Sequence, residues 1–193
     1  MKYPPHPLNR EQVVALIAAA AGTRCPLRDA AALTMLYRTG MRCAECCNLD
    51  MDDLREYGNG MMVVRVSHPK GWRRGAMPRE IGLDPQATAI IARWLKQRGT
   101  TAGPVFITGG KHRLRPSHLR RLIPRLAHRA GIRRRCHPHA LRHTFARELY
   151  DEGVGHIEIM LALGHSSMTT TQKYLRSIGA TEVIKATTSR GAW

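Results

Sequence analysis

Arg42 stands three residues before Glu45 in the run Thr39-Gly40-Met41-Arg42-Cys43-Ala44-Glu45. An arginine just after a helix-ending glycine projects from the start of the next element, and a carboxylate three positions on can orient it. Alone, the pair reads as a surface i,i+3 salt bridge. A second cluster, His139-Ala140-Leu141-Arg142-His143, follows Pro138 and sets an imidazole and a guanidinium three apart on one helical face. Two cationic groups side by side repel, so placing them together suits an anionic ligand. Arginine offers planar, paired donors to phosphate oxygens, and histidine moves a proton near neutral pH. A solvated basic face is the alternative for that segment. Leu163-Gly164-His165-Ser166-Ser167 and Thr170-Thr171-Gln172-Lys173-Tyr174 form the last two clusters. A glycine-terminated helix, a polar turn and a new helix would return His165 and Tyr174 to one locality. Tyr174 reads equally as a half-buried structural tyrosine, as Tyr37 and Tyr150 are taken to be.

The composition says what such a site would meet. Lys and Arg number 31 against 14 Asp and Glu, a formal charge of +17. That excess attracts polyanions and favours salt-sensitive phosphate contacts. A GC-rich genome explains arginine over lysine but not the deficit of acids, so nucleic acid is the expected partner. The five cysteines are Cys25, Cys43, Cys46, Cys47 and Cys136. An odd count with three in five positions argues against a disulfide framework and for a reducing interior. Cys43 and Cys46 have the spacing of half a zinc site, but no second such pair appears, so buried thiols on a short helix are expected. No apolar stretch is long enough to span a bilayer. The apolar run over 13–21 reads as a capped helix rather than a signal peptide.

The elements that must position these residues follow from periodicity and punctuation. Asn9 and Gln12 predict a capping box opening a helix to about residue 21. A second helix starts near Pro26, lines one face with Leu27, Ala30, Leu33, Leu36 and Tyr37, and stops at Gly40. A short helix spans about 42–47. Residues 62–66 and 76–81 predict two strands of a β-hairpin around a basic turn, and 105–107 a short third strand. A helix runs from near Pro85 to Gly99. From Ser117 the spacing of Leu119, Leu122, Ile123 and Leu126 is helical, with Pro124 expected to kink or split it. Two further helices carry Leu141, Phe145 and Leu149, then Val154, Ile157, Met160 and Leu161, the last ending at Gly164.

In order and spacing the four clusters resemble the signatures of tyrosine recombinases, the phage integrase family. T-G-x-R-x-x-E lies at 39–45, P-H-x-L-R-H-T-F-A at 138–146, and L-G-H-S-S-x-x-T-T-x-x-Y at 163–174. The turn Lys70-Gly71-Trp72-Arg73-Arg74-Gly75-Ala76-Met77-Pro78 is similar to the family's K-G-x-K-x-R-x-x-P segment. Arg73 stands there for the second lysine and Gly75 for the arginine. The resemblance runs from about Leu8 to Tyr174. It implies the family's catalytic-domain fold, mainly α with a small antiparallel β-sheet (α+β), over 9–176. Residues 1–8, with Pro4, Pro5 and Pro7, read as an extended leader or linker stub, and the family usually has a helical DNA-clamping domain upstream. The tail over 177–193, with Val183, Ile184 and Trp193, would dock on a neighbouring protomer.

The resemblance also implies a mechanism. Tyr174 would attack a scissile DNA phosphate, leaving a 3′-phosphotyrosine and a free 5′-hydroxyl. A phenol with pKa of about 10 is a poor nucleophile until deprotonated but a good leaving group on return. Arg42 and Arg142 would clamp the non-bridging oxygens, and His165 would add a hydrogen bond. His139 would accept the tyrosine proton, Lys70 would protonate the leaving oxygen, and Glu45 would orient the arginines. Arg73, Arg74, Arg113, Arg115 and Arg121 are candidate DNA contacts. The bond energy is kept in the phosphotyrosine, so neither ATP nor metal is called for, and no Walker loop is present. Double-stranded DNA, a tetramer on synapsed sites, a monomer or dimer when free, and accessory DNA-bending or clamp proteins are the implied partners. A cytoplasmic, nucleoid-associated location and no membrane go with them. Type IB topoisomerase chemistry, a non-catalytic basic DNA-binding regulator and a zinc module are the rival readings.

Overall fold

Asn9 opens the first helix as its sequence demands. Its Oδ1 accepts the Gln12 backbone N–H at 2.8 Å, and Gln12 Oε1 accepts that of Asn9 at 3.2 Å. The computed structural model describes residues 7–69 and 77–164. Helix α1 (Arg10–Ala18) continues as a 3-10 turn, Ala19–Gly22, then α2 (Pro26–Thr39) and α3 (Cys43–Asn48) follow. Strands β1 (Leu54–Gly58), β2 (Met61–Val66) and β3 (Arg79–Leu83) form one sheet in that order. Helices α4 (Pro85–Arg98), α5 (Pro116–Arg129), α6 (Pro138–Asp151) and α7 (His156–Leu163) complete the described fold. Prolines open α2, α4, α5 and α6, where a missing N–H costs nothing. None of these helices is long and apolar enough to cross a membrane.

Helix α2 is the centre. The sequence predicts an amphipathic helix with Leu27, Ala30 and Tyr37 on its inner face, but these three are only half-buried. Ala31, Ala32, Leu33, Met35 and Leu36 are completely buried instead. Helices α1, α4 and α6 pack around it, so it is covered on nearly every side. Its end is fixed by Gly40, at φ 58°. A Cβ there would lie 2.2 Å from the Phe145 ring, so only glycine permits this approach of α2 to α6. A second small core of Phe145, Ala146, Ile159 and Leu163 joins α6 to α7.

The sheet differs from expectation in one strand. Strands β2 and β3 pair antiparallel, with Val64 opposite Ile81 and Met62 opposite Leu83. The third strand is β1, paired with β2, and not 105–107. Val105 and Phe106 are fully buried, but they cross the core between two isolated bridges, Asp50 with Pro104 and Ile107 with Arg113. Strand β1 escapes an alternation test because it is an exposed edge. Its turn at Asn59 (φ 49°) and Gly60 (φ 70°) is the conformation a tight hairpin needs. Pro124 does not split its helix. Helix α5 runs from Pro116 to Arg129 as one segment, with Pro124 exposed on it.

Candidate active site

Helix α3 begins where Gly40 and the buried Met41 turn the chain, which puts Arg42 at its N-cap. Glu45 binds Arg42 twice: Oε2 accepts its backbone N–H at 2.8 Å and Oε1 accepts Nη1 at 2.8 Å. This is not the surface salt bridge that the spacing alone suggests, because the Glu45 side chain is 3% exposed. A third guanidinium completes the pairing, with Arg79 Nη2 donating to Glu45 Oε2 at 2.7 Å. Burial works against the carboxylate, yet the hydrogen bond and charge of Arg79, then the bonds from Arg42, bring its pKa down to about 2.

Arg142 sits behind this pair on α6, buried as the i,i+3 partner of His139, while Leu141 points into the core. Its Nη1 donates to the Gly40 carbonyl at 2.6 Å and its Nη2 to that of Leu163 at 2.8 Å. Burial, then the charges of Arg42 and Arg79 against that of Glu45, lower its pKa to about 9. Three guanidiniums around one carboxylate leave an excess of positive charge that an anion would relieve. His139 opens onto the same place at the start of α6, its ring edge-on to His137 at 6.1 Å. Partial burial, then the charges of Arg142, His137, Arg42 and Arg120, hold its pKa below the usual imidazole value. A neutral imidazole at pH 7 accepts a proton, as a general base must.

Arg42, Glu45 and His139 line one cleft of about 1210 Å³. Its walls include Arg120 and His128 of α5 and the basic run 133–135, and His68 at the end of β2 reaches into it. Lys70, Arg73, Arg74, His165 and Tyr174 lie outside the described residues. Residue 69 ends the described hairpin arm beside that cleft, and Gly164 caps α7 in a left-handed turn (φ 64°) one position before His165. Of the candidate DNA contacts, Arg115 and Arg121 are exposed. Arg113 is engaged within the protein, to Asp50 at 2.6 Å and the carbonyls of Cys47 and Leu49. Cys43, Cys46 and Cys47 are buried thiols of α3, and among the described residues no group of three His, Cys, Asp or Glu is placed to hold a metal.

Sequence reasoning overlooked Arg79, His68 and Arg120. A signal for Arg79 existed. It shares a strand face with Ile81 and Leu83, both buried, so period-two alternation places its side chain inward. His68 and Arg120 carry no such mark, because only the fold brings them to the cleft.

The profile of the phage integrase family matches residues 7–179. A tyrosine recombinase XerC of Corynebacterium glutamicum is 35% identical over 175 residues, covering 88% of this chain and 54% of that protein. A tyrosine recombinase XerA of Pyrococcus furiosus is 30% identical over 175 residues, with 89% and 57% covered. The crystal structure of a XerA recombinase superposes with a TM-score of 0.77 at 26% identity, over 99% of this chain and 65% of that one. A XerH site-specific recombinase bound to a palindromic difH substrate gives 0.80 at 23% identity, over 97% and 54%, a likeness of fold. The chain spans about half the length of the curated relatives it matches.

Proposed function

Because the chain belongs to the phage integrase family, we propose that it cuts and rejoins DNA strands at specific sites through a 3′-phosphotyrosine at Tyr174. The observation that carries this is the convergence of Arg42, Arg142 and His139 around Glu45, beside a cleft with basic walls. In this reading Arg42 and Arg142 bind the non-bridging oxygens and stabilise the extra charge of the pentacovalent state. Loss of one such donor costs about 3–4 kcal/mol, or 10²–10³ in rate. His139 takes the phenol proton, Lys70 protonates the departing 5′-oxygen, and His165 adds a donor to the phosphate. Glu45 keeps Arg42 extended toward the cleft.

Double-stranded DNA is the substrate in this reading, and α5 is its ridge. Arg120, Pro124 and His128 face the cleft on one side of the helix; Arg125 and Arg129 face a second groove, of about 530 Å³, on the other. Arg121 is exposed between them and, with Arg120, Pro124 and Arg125, lines a third, shallow concavity of about 620 Å³. A helix of 10–12 Å diameter fits a DNA major groove about 12 Å wide, which would set phosphate backbones in the flanking channels. Arg115 belongs to this surface; Arg73 and Arg74 would reach DNA from the hairpin turn. Residues 9–176 form the catalytic domain in this scheme, 1–8 a leader or linker stub whose last residue, Leu8, packs into the domain's core, and 177–193 a tail that docks on a neighbouring protomer within a tetramer. Accessory or clamp proteins, and a cytoplasmic place on the nucleoid, complete it.

The test is covalent trapping. A nicked duplex, bearing a site enriched from random sequence by binding to this chain, should give an adduct that survives a denaturing gel. Tyr174→Phe should bind the duplex as well and form none. An adduct that persists in Tyr174→Phe would remove Tyr174 from the reaction; a topoisomerase-like activity would relax supercoiled DNA lacking any selected site.

A further inference from the structure

Arg79 does more than neutralise Glu45. It opens β3 with its side chain 8% exposed, and its guanidinium touches two other elements at once. Nη2 holds Glu45 of α3 at 2.7 Å, while Nε donates to the Ala162 carbonyl in the last turn of α7 at 2.8 Å. Nη1 is buried, without a hydrogen-bond partner among the described residues, and lies against Gly164, where a Cβ would come within 2.7 Å. Arg142 grips the adjacent Leu163 carbonyl from α6 at 2.8 Å. Two cations therefore hold the C-terminal end of α7, which is the favourable end of the helix dipole for positive charge. One of the two is tied to Glu45, and Glu45 is tied to Arg42.

We infer that Arg79 is a positioning residue for strand cleavage, a bracket that fixes Glu45, and through it Arg42, against the C-terminal carbonyls of α7. The inference rests on the proposed recombinase reading. Physically, a carboxylate shared by two guanidiniums has one orientation, because each oxygen is already committed. Without Arg79, Glu45 Oε2 loses the guanidinium donor that ties it to β3, and the Ala162 carbonyl loses its side-chain donor. Arg142 still joins the Gly40 and Leu163 carbonyls, but the direct tie from Glu45 to the end of α7 is gone and Arg42 is less firmly placed against it. A displacement of about 1 Å between reacting groups is enough to slow a positioned reaction about 10²-fold.

Three measurements on the full chain test this: adduct formation on the nicked duplex, affinity for the same duplex, and thermal unfolding. In Arg79→Met the adduct should form about 10- to 100-fold more slowly with duplex affinity nearly unchanged. Arg79→Lys, which keeps a buried charge but not the forked geometry, should recover part of the rate. The pH profile separates positioning from general loosening. Among the described residues, the titratable and charged groups facing Glu45 include Arg42 and Cys46 on α3, Arg79 on β3 and Arg142 on α6. Removing Arg79 lets burial raise the Glu45 pKa, so the acid limb of the rate should move to higher pH in Arg79→Met. A wild-type rate and profile in both variants, or a slower rate that only follows loss of folded protein, would overturn the role of Arg79. No adduct with the wild-type chain would instead overturn the recombinase reading, and this inference with it.

Discussion

Glu45 is the residue on which the site's electrostatics turn. Its pKa of about 2 lies below the ordinary 4.5, so it is charged throughout the working range and binds its two arginines best when ionised. A carboxyl depressed in the folded state stabilises the protein above its unfolded pKa and loses that contribution as pH falls through the folded one. For a side chain 3% exposed, the shift corresponds to about 3 kcal/mol. The stability gap between wild type and Glu45→Gln should therefore be full at neutral pH and close between about pH 4.5 and pH 2. Chemical denaturation across that range measures it, and a gap independent of pH would deny the pairing. Neither the depth of Glu45 nor Arg79 as its second partner is visible in T-G-x-R-x-x-E. Spacing gives the i,i+3 geometry, while burial comes from β3 and α7, which are remote in the chain.

Between elements, the contact of Gly40 with Phe145 decides how closely α2 and α6 approach. Both motif segments depend on it: Arg42 follows Gly40 by two residues, and Arg142 on α6 donates to the Gly40 carbonyl. Gly40→Ala meets a left-handed backbone and a ring 2.2 Å away, so it should destabilise the domain by about 2–4 kcal/mol, read as a lower denaturation midpoint. An unchanged midpoint would mean that the helices part without cost. Helix boundaries were legible because they rest on local chemistry: the Asn9–Gln12 box, prolines in first turns, and glycines at 40 and 164. Strand β1 was not. Leu54-Arg55-Glu56-Tyr57-Gly58 is solvent-facing at an edge and owes its state to pairing with β2 rather than to its own pattern. Pro124 does not split α5, since an exposed proline on a helix packed along its other side is tolerated.

For the molecule as a whole, the charge of +17 predicts how the proposed DNA binding responds to salt. Each phosphate contact contributes about 0.9 to the slope of log affinity against log salt. If the exposed Arg121 and Arg125 of α5 each meet a phosphate, the double replacement Arg121→Ala with Arg125→Ala should flatten that slope by about 2. The loss should be similar for all sequences, because phosphate contacts position without reading bases. Filter binding from low to physiological salt checks it, and an unaltered slope would move the interface off α5. Leu8 matters here too. Its side chain is buried and its N–H donates to Thr144 Oγ1 at 2.8 Å, within the helix that carries His139 and Arg142. A foreign module grafted upstream of residue 7 would thus leave from a fixed anchorage on α6. The length of the joining peptide past that anchorage would then determine which stretch of duplex the grafted module reaches.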